Sequence, residues 1–403
     1  MAHILLGITG SIAAYKAPLL IRKLQKAGHE VTAILTRAAK KFVTPLTLET
    51  LTRRPPLGNL WGREATAEAP GLWTQHIALA RQADLLLIAP ATAHLIARLA
   101  QGMCDDLLSA IFLSIRKPVL IAPAMEGNMY RHPTVQQNLR RLRRLPHVRI
   151  IPPGKGFLAS GEQDVGRLAS LQRIYLAVER ALHPPLLHGK RILITAGATR
   201  EPWDRVRFLS NGSTGKMALA LAEAAYILGA QEIHLLAAHT EVALPKNLFH
   251  ITPVSHAQSL LAAYQRLYER YDWVLFAAAV SDYTFAQTLD YKVRKKPEGL
   301  TLSLVPAPDI LAWAGAHKKP HQLLIGFALD NPGEEANAYE KLLRKGADWM
   351  AINFISPQTG MGTDTNIIVL RSRHGHRHEI PLATKNTVAL KLLEFIAHAM
   401  GSV

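Results

Sequence analysis

The residues best suited to chemistry lie where short apolar runs end in glycine. Gly7-Ile8-Thr9-Gly10-Ser11 closes the first such run and a helical pattern begins at once, so backbone amides and a helix dipole are aimed at whatever anion sits there. Ala89-Pro90-Ala91-Thr92-Ala93 ends another run in the same way. Two such turns point to a phosphorylated, nucleotide-like ligand, although the G-x-G-x-x-G dinucleotide fingerprint is absent. In the second half, Ala196-Gly197-Ala198-Thr199-Arg200-Glu201-Pro202 and then Ser213-Thr214-Gly215-Lys216-Met217 again give strand, glycine turn and capped helix. Gly215-Lys216 looks like part of a Walker A loop, but Gly212 stands too close and Met217 follows the lysine, so a P-loop is excluded. From these residues alone a plain NAD-binding domain is an equal reading.

The elements that must position these turns follow from the apolar pattern. Residues 3–9, 30–36, 84–89, 118–122 and 148–151 read as buried strands, separated by helical stretches at 93–101 and 133–145. Ala13, Ala17, Leu20, Leu24 and Ala27 share one helix face, with Gly28 as its stop. Two prolines and a glycine at 184–189 mark a linker between a domain at 1–183 and one at 190–403. The pattern then restarts: 191–195, 232–237, 273–278, 323–328 and 349–353 are strands with helices between them. Residues 366–370 and 378–381 suit an antiparallel pair before a closing helix. The fold class is α/β, two doubly wound, mostly parallel-sheet, Rossmann-like domains, the second with a small antiparallel addition.

Composition bounds the rest. The 403 residues are 49% hydrophobic and 19% charged, a globular balance with no run long enough to span a bilayer and no signal peptide, which places the protein in the cytoplasm. A single cysteine, Cys104, excludes intramolecular disulfides and thiolate metal cages. Of the +17 net charge, residues 1–185 hold 24 Lys/Arg against 11 Asp/Glu. The cluster Arg140, Arg141, Arg143, Arg144 and Arg149 reads as a solvated helix face, and without any nucleic-acid-binding signature no such partner is expected.

Gly10 to Lys16 (GSIAAYK), His76-Ile77, the run APATAHLIARLAQGMCDDL and Pro123-Ala124-Met125-x-x-x-Met129-Tyr130 resemble, in order and spacing, the flavin-containing cysteine decarboxylases. The resemblance implies FMN held by Gly10, Ser11, Thr36, Pro90, Ala91 and Thr92, with His76 as the catalytic acid-base residue. It implies oxidation of the thiol of phosphopantothenoylcysteine, so that a carbon–sulfur double bond becomes the electron sink for decarboxylation. Two positions depart from the pattern. Glu126 replaces an asparagine that contacts the substrate carboxylate, and a glutamate there repels that group unless protonated or turned away. Ser160, in Leu158-Ala159-Ser160-Gly161, stands where a mobile flap carries the proton-donating cysteine; its hydroxyl is a poorer acid. Met129 is the remaining substrate residue in this half.

After the linker, TAGxTREP from Thr195, SNxSTGKM from Ser210, AAAVSDY from Ala277, Lys292-Val293-Arg294-Lys295, Pro308-Asp309-Ile310-Leu311 and Gly326-Phe327-Ala328 resemble phosphopantothenate-cysteine ligases. The resemblance implies CTP as co-substrate with Mg2+, bound by Phe276, Ala277, Ala278, Asp282, Lys292, Pro308, Asp309, Ile310, Leu311, Phe327, Lys341 and Lys345. The last two lie four apart on one helix face. 4'-Phosphopantothenate would be activated as an acyl-cytidylate, releasing pyrophosphate, and the cysteine amine would then displace CMP, with Asn211 acting in that second step. Asn353 matches too, but Phe354 replaces its usual aspartate neighbour. The resemblance also implies homo-oligomers, with trimeric decarboxylase and dimeric ligase contacts combined as a dodecamer. The alternatives are an active ligase carrying a flavin-binding scaffold that no longer decarboxylates, or a flavin half that stops at the ene-thiol.

Overall fold

The computed structural model describes residues 1–60, 74–295 and 299–401. The chain divides into two compact units, Met1–His183 and Pro184–Val403. In the first, strands β1 (His3–Ile8), β2 (Glu30–Leu35), β3 (Leu85–Ala91), β4 (Val119–Pro123) and β5 (Val148–Ile150) form a parallel sheet in the order β2-β1-β3-β4-β5. Every residue of β3 is buried, which is why it reads as a continuous apolar run: helices cover both faces. Leu20, Ile21, Leu24, Ile174 and Val178 pack on one face, and Leu95, Ile96, Leu99, Leu108 and Ile111 on the other. The helix read from Ala13 onward starts as a 3-10 turn, Ile12–Lys16, and becomes α-helical at Ala17–Lys26. Pro18 explains the change, since a proline is tolerated only in the first turn of an α-helix. Of the arginine cluster, Arg140, Arg141 and Arg143 lie on the helix Pro133–Arg143, Arg144 follows it and Arg149 is on β5; all five side chains are exposed. A hairpin that the sequence pattern did not reveal follows β5: β6 (Gly154–Phe157) pairs antiparallel with β7 (Gln163–Arg167).

The second unit carries an eight-stranded sheet. Its strands in chain order are β8 (Arg191–Ala196), a hairpin of β9 (Arg200–Pro202) and β10 (Phe208–Ser210), then β11 (Glu232–Ala237), β12 (His250–Pro253) and β13 (Trp273–Phe276). A second small hairpin, β14 (Tyr283–Phe285) with β15 (Leu304–Pro306), precedes β16 (Leu323–Asp330), β17 (Trp349–Phe354), β18 (Thr365–Ser372) and β19 (Arg377–Thr384). The main sheet runs β12-β11-β8-β13-β16-β17-β18-β19, parallel except where β18 and β19 add the expected antiparallel edge. The segment 184–189 packs on this unit: Leu187 is fully buried in its core and its N–H donates to Leu228 O at 2.8 Å.

Candidate functional sites

In the first sheet the strand order reverses direction between β1 and β3, and open α/β sheets bind ligands in the crevice outside the carboxyl ends of strands at such a point. The turns holding Gly10, Ser11, Pro90, Ala91 and Thr92 leave the sheet on either side of this crevice. Thr9, which sequence reasoning missed, fastens them together: its hydroxyl donates to Pro90 O at 2.7 Å and accepts from Thr92 N–H at 3.1 Å. Ser11 caps the 3-10 turn and Thr92 caps the helix Ala93–Gln101. Thr36, at the end of β2, donates to Ile8 O through its backbone N–H. A Cβ on Gly10 would come within 2.4 Å of the Ala38 Cβ, so only glycine lets the first turn lie this close to the β2 loop.

His76 is the second residue of the helix Gln75–Gln82, which must run antiparallel to the strand it feeds, β3; its first turn therefore lies toward the ligand edge. The His76 Nδ1 is buried with no hydrogen-bond partner among the described residues. Glu126 is turned to its own helix: Oε2 accepts from Met129 N–H at 3.0 Å. Backbone N–H groups of Asn128 and Met129 hold its carboxyl below the usual range, so it stays ionised. Its other oxygen, Oε1, is buried with no hydrogen-bond partner among the described residues. Met129 itself is exposed, and Ser160 sits exposed at the tip of the β6–β7 hairpin, whose turn closes with Leu158 N–H on Glu162 O at 2.8 Å.

The second sheet reverses between β8 and β13, the arrangement of dinucleotide-binding folds. A threonine again ends the first strand and ties the loops, Thr195 Oγ1 accepting from Ala278 N–H at 3.0 Å. Thr199 continues the tie, with Oγ1 accepting from Ser281 N–H at 3.0 Å and its N–H donating to Ala279 O. Asn211 Nδ2 donates to Ala279 O and Val280 O, each at 3.3 Å. Ala277 and Ala278 line this loop half-buried, while Phe276 and Ile310 are core side chains, Phe276 edge-on to Tyr264 at 5.4 Å; these two reach a ligand only through backbone.

The other nucleotide candidates are brought together by hydrogen bonds. Ala307 N–H donates to Asp282 O, placing Pro308 beside Asp282. Asp309 caps the helix Ile310–His317 through Oδ1, and its Oδ2 meets Lys345 Nζ at 3.1 Å. Lys341 pairs with Asp330 at 3.2 Å, at the end of the strand that carries Phe327. Leu311 is half-buried next to them. Lys216, the first residue of the helix Lys216–Ile227, donates to Gly362 O at 3.0 Å and pairs with Asp364 at 2.7 Å. Asn353 Oδ1 is buried with no partner among the described residues.

The loop of Lys292 has an anchor that no motif announces. The buried Asp204 accepts from Val206 and Arg207 N–H, each at 2.7 Å, and from Val293 N–H at 3.2 Å. Burial works against its charge, but these three donors outweigh it and hold the carboxyl below its usual range. If Lys292 binds CTP, as the resemblance implies, Asp204→Ala, which frees Val293 and with it Lys292, is expected to raise the KM for CTP about tenfold with a much smaller change in kcat, measured by steady-state pyrophosphate release. An unchanged KM would detach Lys292 from nucleotide binding.

Two open, mostly parallel sheets, one of flavodoxin-like and one of Rossmann-like order, each with its loops fastened by threonines at the reversal, define a two-domain, doubly wound α/β protein. Comparison with known proteins places it further. A flavoprotein family matches residues 1–183, and the DNA/pantothenate metabolism flavoprotein C-terminal domain family matches residues 187–400. The coenzyme A biosynthesis bifunctional protein CoaBC of Bacillus subtilis is 39% identical over 399 residues, covering 98% of this chain and 96% of that protein. Its namesake from Vibrio vulnificus strain CMCP6 is 37% identical over 401 residues, covering 99% and 98%. A crystal structure of the C-terminal domain of a CoaBC protein is 36% identical, with a TM-score of 0.46, over 54% of this chain and all of that one. The chain belongs to the CoaBC family of coenzyme A biosynthesis bifunctional proteins.

Proposed function

We infer that the two reversal points hold the two active sites of one bifunctional enzyme. The chain is an enzyme of coenzyme A biosynthesis, a flavoprotein decarboxylase joined to a ligase. The observation that carries the reading is the pair of reversal points, each bridged by loop-to-loop bonds at the edge where open α/β sheets bind ligands. In the second unit, residues 190–403, 4'-phosphopantothenate attacks the α-phosphorus of CTP, giving an acyl-cytidylate and pyrophosphate. Lys292, Lys341 and Lys345 offset charge on the nucleotide, and Mg2+ enters on its phosphates. The backbone of residues 276–278, Asp282 and Pro308 to Leu311 shape the nucleotide pocket beside Phe327. The cysteine amine then displaces CMP.

The product, phosphopantothenoylcysteine, passes to the first unit, residues 1–183. The donor set fits FMN: Gly10, Ser11 and Thr36 line one side of the crevice and Pro90, Ala91 and Thr92 the other, joined by Thr9. Bound there, FMN supplies the two-electron oxidation that makes the carbon–sulfur double bond and later returns a hydride to the ene-thiol. His76 exchanges the proton of the oxidation step, and Ser160, or a water it positions, delivers the last proton. The reading includes a cytoplasmic homo-oligomer with trimeric decarboxylase and dimeric ligase contacts, assembled as a dodecamer. Among the described residues no helix is long and apolar enough to cross a membrane.

The test is direct. The purified full chain is expected to be yellow, to release FMN on denaturation, and with 4'-phosphopantothenate, cysteine, CTP and Mg2+ to form CMP, pyrophosphate, carbon dioxide and 4'-phosphopantetheine. A colourless protein that cannot be reconstituted with FMN would end the flavin assignment. Accumulation of phosphopantothenoylcysteine without carbon dioxide would make the first unit a scaffold.

A further inference from the structure

The Ser160 hairpin is fastened to the Glu126 helix through one side chain. Arg131, the last residue of Gly127–Arg131, grips Asp164 of β7 with two parallel bonds, Nη1 to Oδ1 and Nη2 to Oδ2, both 2.7 Å. Its Nη2 also donates to Asn128 Oδ1 at 2.9 Å. The backbones meet just as closely. Met125 N–H donates to Gly166 O at 3.0 Å, and a Cβ on Gly127 would fall 1.9 Å from Asp164 Oδ2. Ala124 N–H in turn donates to Ala91 O at 3.0 Å, so the hairpin base is one hydrogen-bonded segment away from the Pro90 turn.

Exposed ion pairs contribute little in general, and the exceptions are bidentate arginine–carboxylate pairs set in a network. This pair is such a case. Asp164 faces Arg131 and, behind it, the ionised Glu126; Glu162 on the hairpin adds a third carboxylate near the same guanidinium. Without Arg131 these carboxylates repel one another across the hairpin–helix contact.

We propose that Arg131 is a positioning residue for the decarboxylase reaction: it holds the β6–β7 hairpin against the Glu126 helix and so keeps Ser160 over the reacting carbons for the last proton delivery. The catalytic part of this inference rests on the function proposed above. That last step adds a hydride from the reduced cofactor to one carbon of the ene-thiol double bond and a proton to the other, consuming two electrons. Only the proton depends on the hairpin. The Arg131 guanidinium, with Val165 N–H, pulls the Asp164 carboxyl down to about 2. A carboxyl with a lowered folded value contributes its stabilisation above the unfolded value and loses it as pH falls through the folded one, so the latch holds throughout neutral pH.

Two measurements on the full-length flavin-bound protein test this. Hydrogen exchange followed by mass spectrometry reads the hairpin without substrate: Arg131→Met is expected to speed exchange in residues 154–167 roughly tenfold, while the rest of the unit is unchanged. Asp164→Asn, which removes the attraction together with one of the repelling charges, is expected to give a smaller increase. Single-turnover absorbance with phosphopantothenoylcysteine then reads the steps separately. In Arg131→Met, flavin bleaching stays within about twofold of wild type while its return slows roughly tenfold. Unaltered exchange in both variants, or equal slowing of bleaching and return, would overturn the proposal. If wild-type protein never bleaches, the decarboxylase reading fails, and the exchange experiment still decides the latch.

Discussion

His76→Asn is expected to leave FMN bound and the protein folded, and to slow bleaching of the oxidised flavin by substrate about 10²–10⁴-fold. Oxidising a thiol to a thioaldehyde removes a hydride from carbon and a proton from sulfur, so a base must take that proton as the hydride leaves. His76 lies in the first turn of its helix, on the side of the sheet where the turns proposed to hold FMN leave it, and its Nδ1 is buried with no hydrogen bond to the described residues. An imidazole nitrogen without a protein partner is free to exchange a proton with a bound substrate. The helix beyond it, through Ala80, packs in the core, so replacing a residue in its first turn should cost little stability. Stopped-flow absorbance with authentic substrate checks the prediction. If the variant bleaches at the wild-type rate and only carbon dioxide release or flavin return is slow, His76 belongs to a later step.

The doubly wound pattern was legible because buried parallel strands are written as unbroken apolar runs: the 93–101 helix and the 232–237 strand appear with the expected bounds. The β6–β7, β9–β10 and β14–β15 hairpins were not legible, because their strands are only three to five residues long and, Gly166 and Glu201 apart, half-exposed or exposed, so no apolar run marks them. These hairpins carry Ser160 and border the loops of Asn211 and Asp282, so the sequence pattern failed where the sites are finished. Site residues were legible chiefly through ordered motifs that resemble known families. The motifs could not say what each side chain meets in the fold: Phe276 lies in the core, Glu126 caps a helix, and Lys341 and Lys345 pair with Asp330 and Asp309. Thr9 and Thr195 had a signal after all. Each is the polar residue that ends an apolar strand at a glycine turn, and each proves to be the tie across its crevice.

Asn211→Ala is expected to block transfer to cysteine about 10²-fold or more while leaving formation of the acyl-cytidylate largely intact. The reason lies in which transition state needs a donor. In the proposed activation step, charge moves among phosphate oxygens; in the proposed transfer, the carbonyl oxygen of the mixed anhydride becomes an oxyanion as the amine adds. Asn211 stands at the β8–β13 crevice with Nδ2 shared between Ala279 O and Val280 O, both at the long distance of 3.3 Å. Two long bonds to neutral carbonyls are weak competitors for an amide that an oxyanion can recruit, because a charged acceptor binds roughly twice as strongly. The same bonds give the rival account, in which Asn211 only shapes the loop from Ala277 to Asp282 and so acts on nucleotide binding. The half-reactions separate the two. Pyrophosphate release without cysteine should survive in Asn211→Ala, and the acyl-cytidylate should accumulate when cysteine is added. Equal loss of both half-reactions, or a raised KM for CTP with transfer intact, would make Asn211 a positioning residue of the loop.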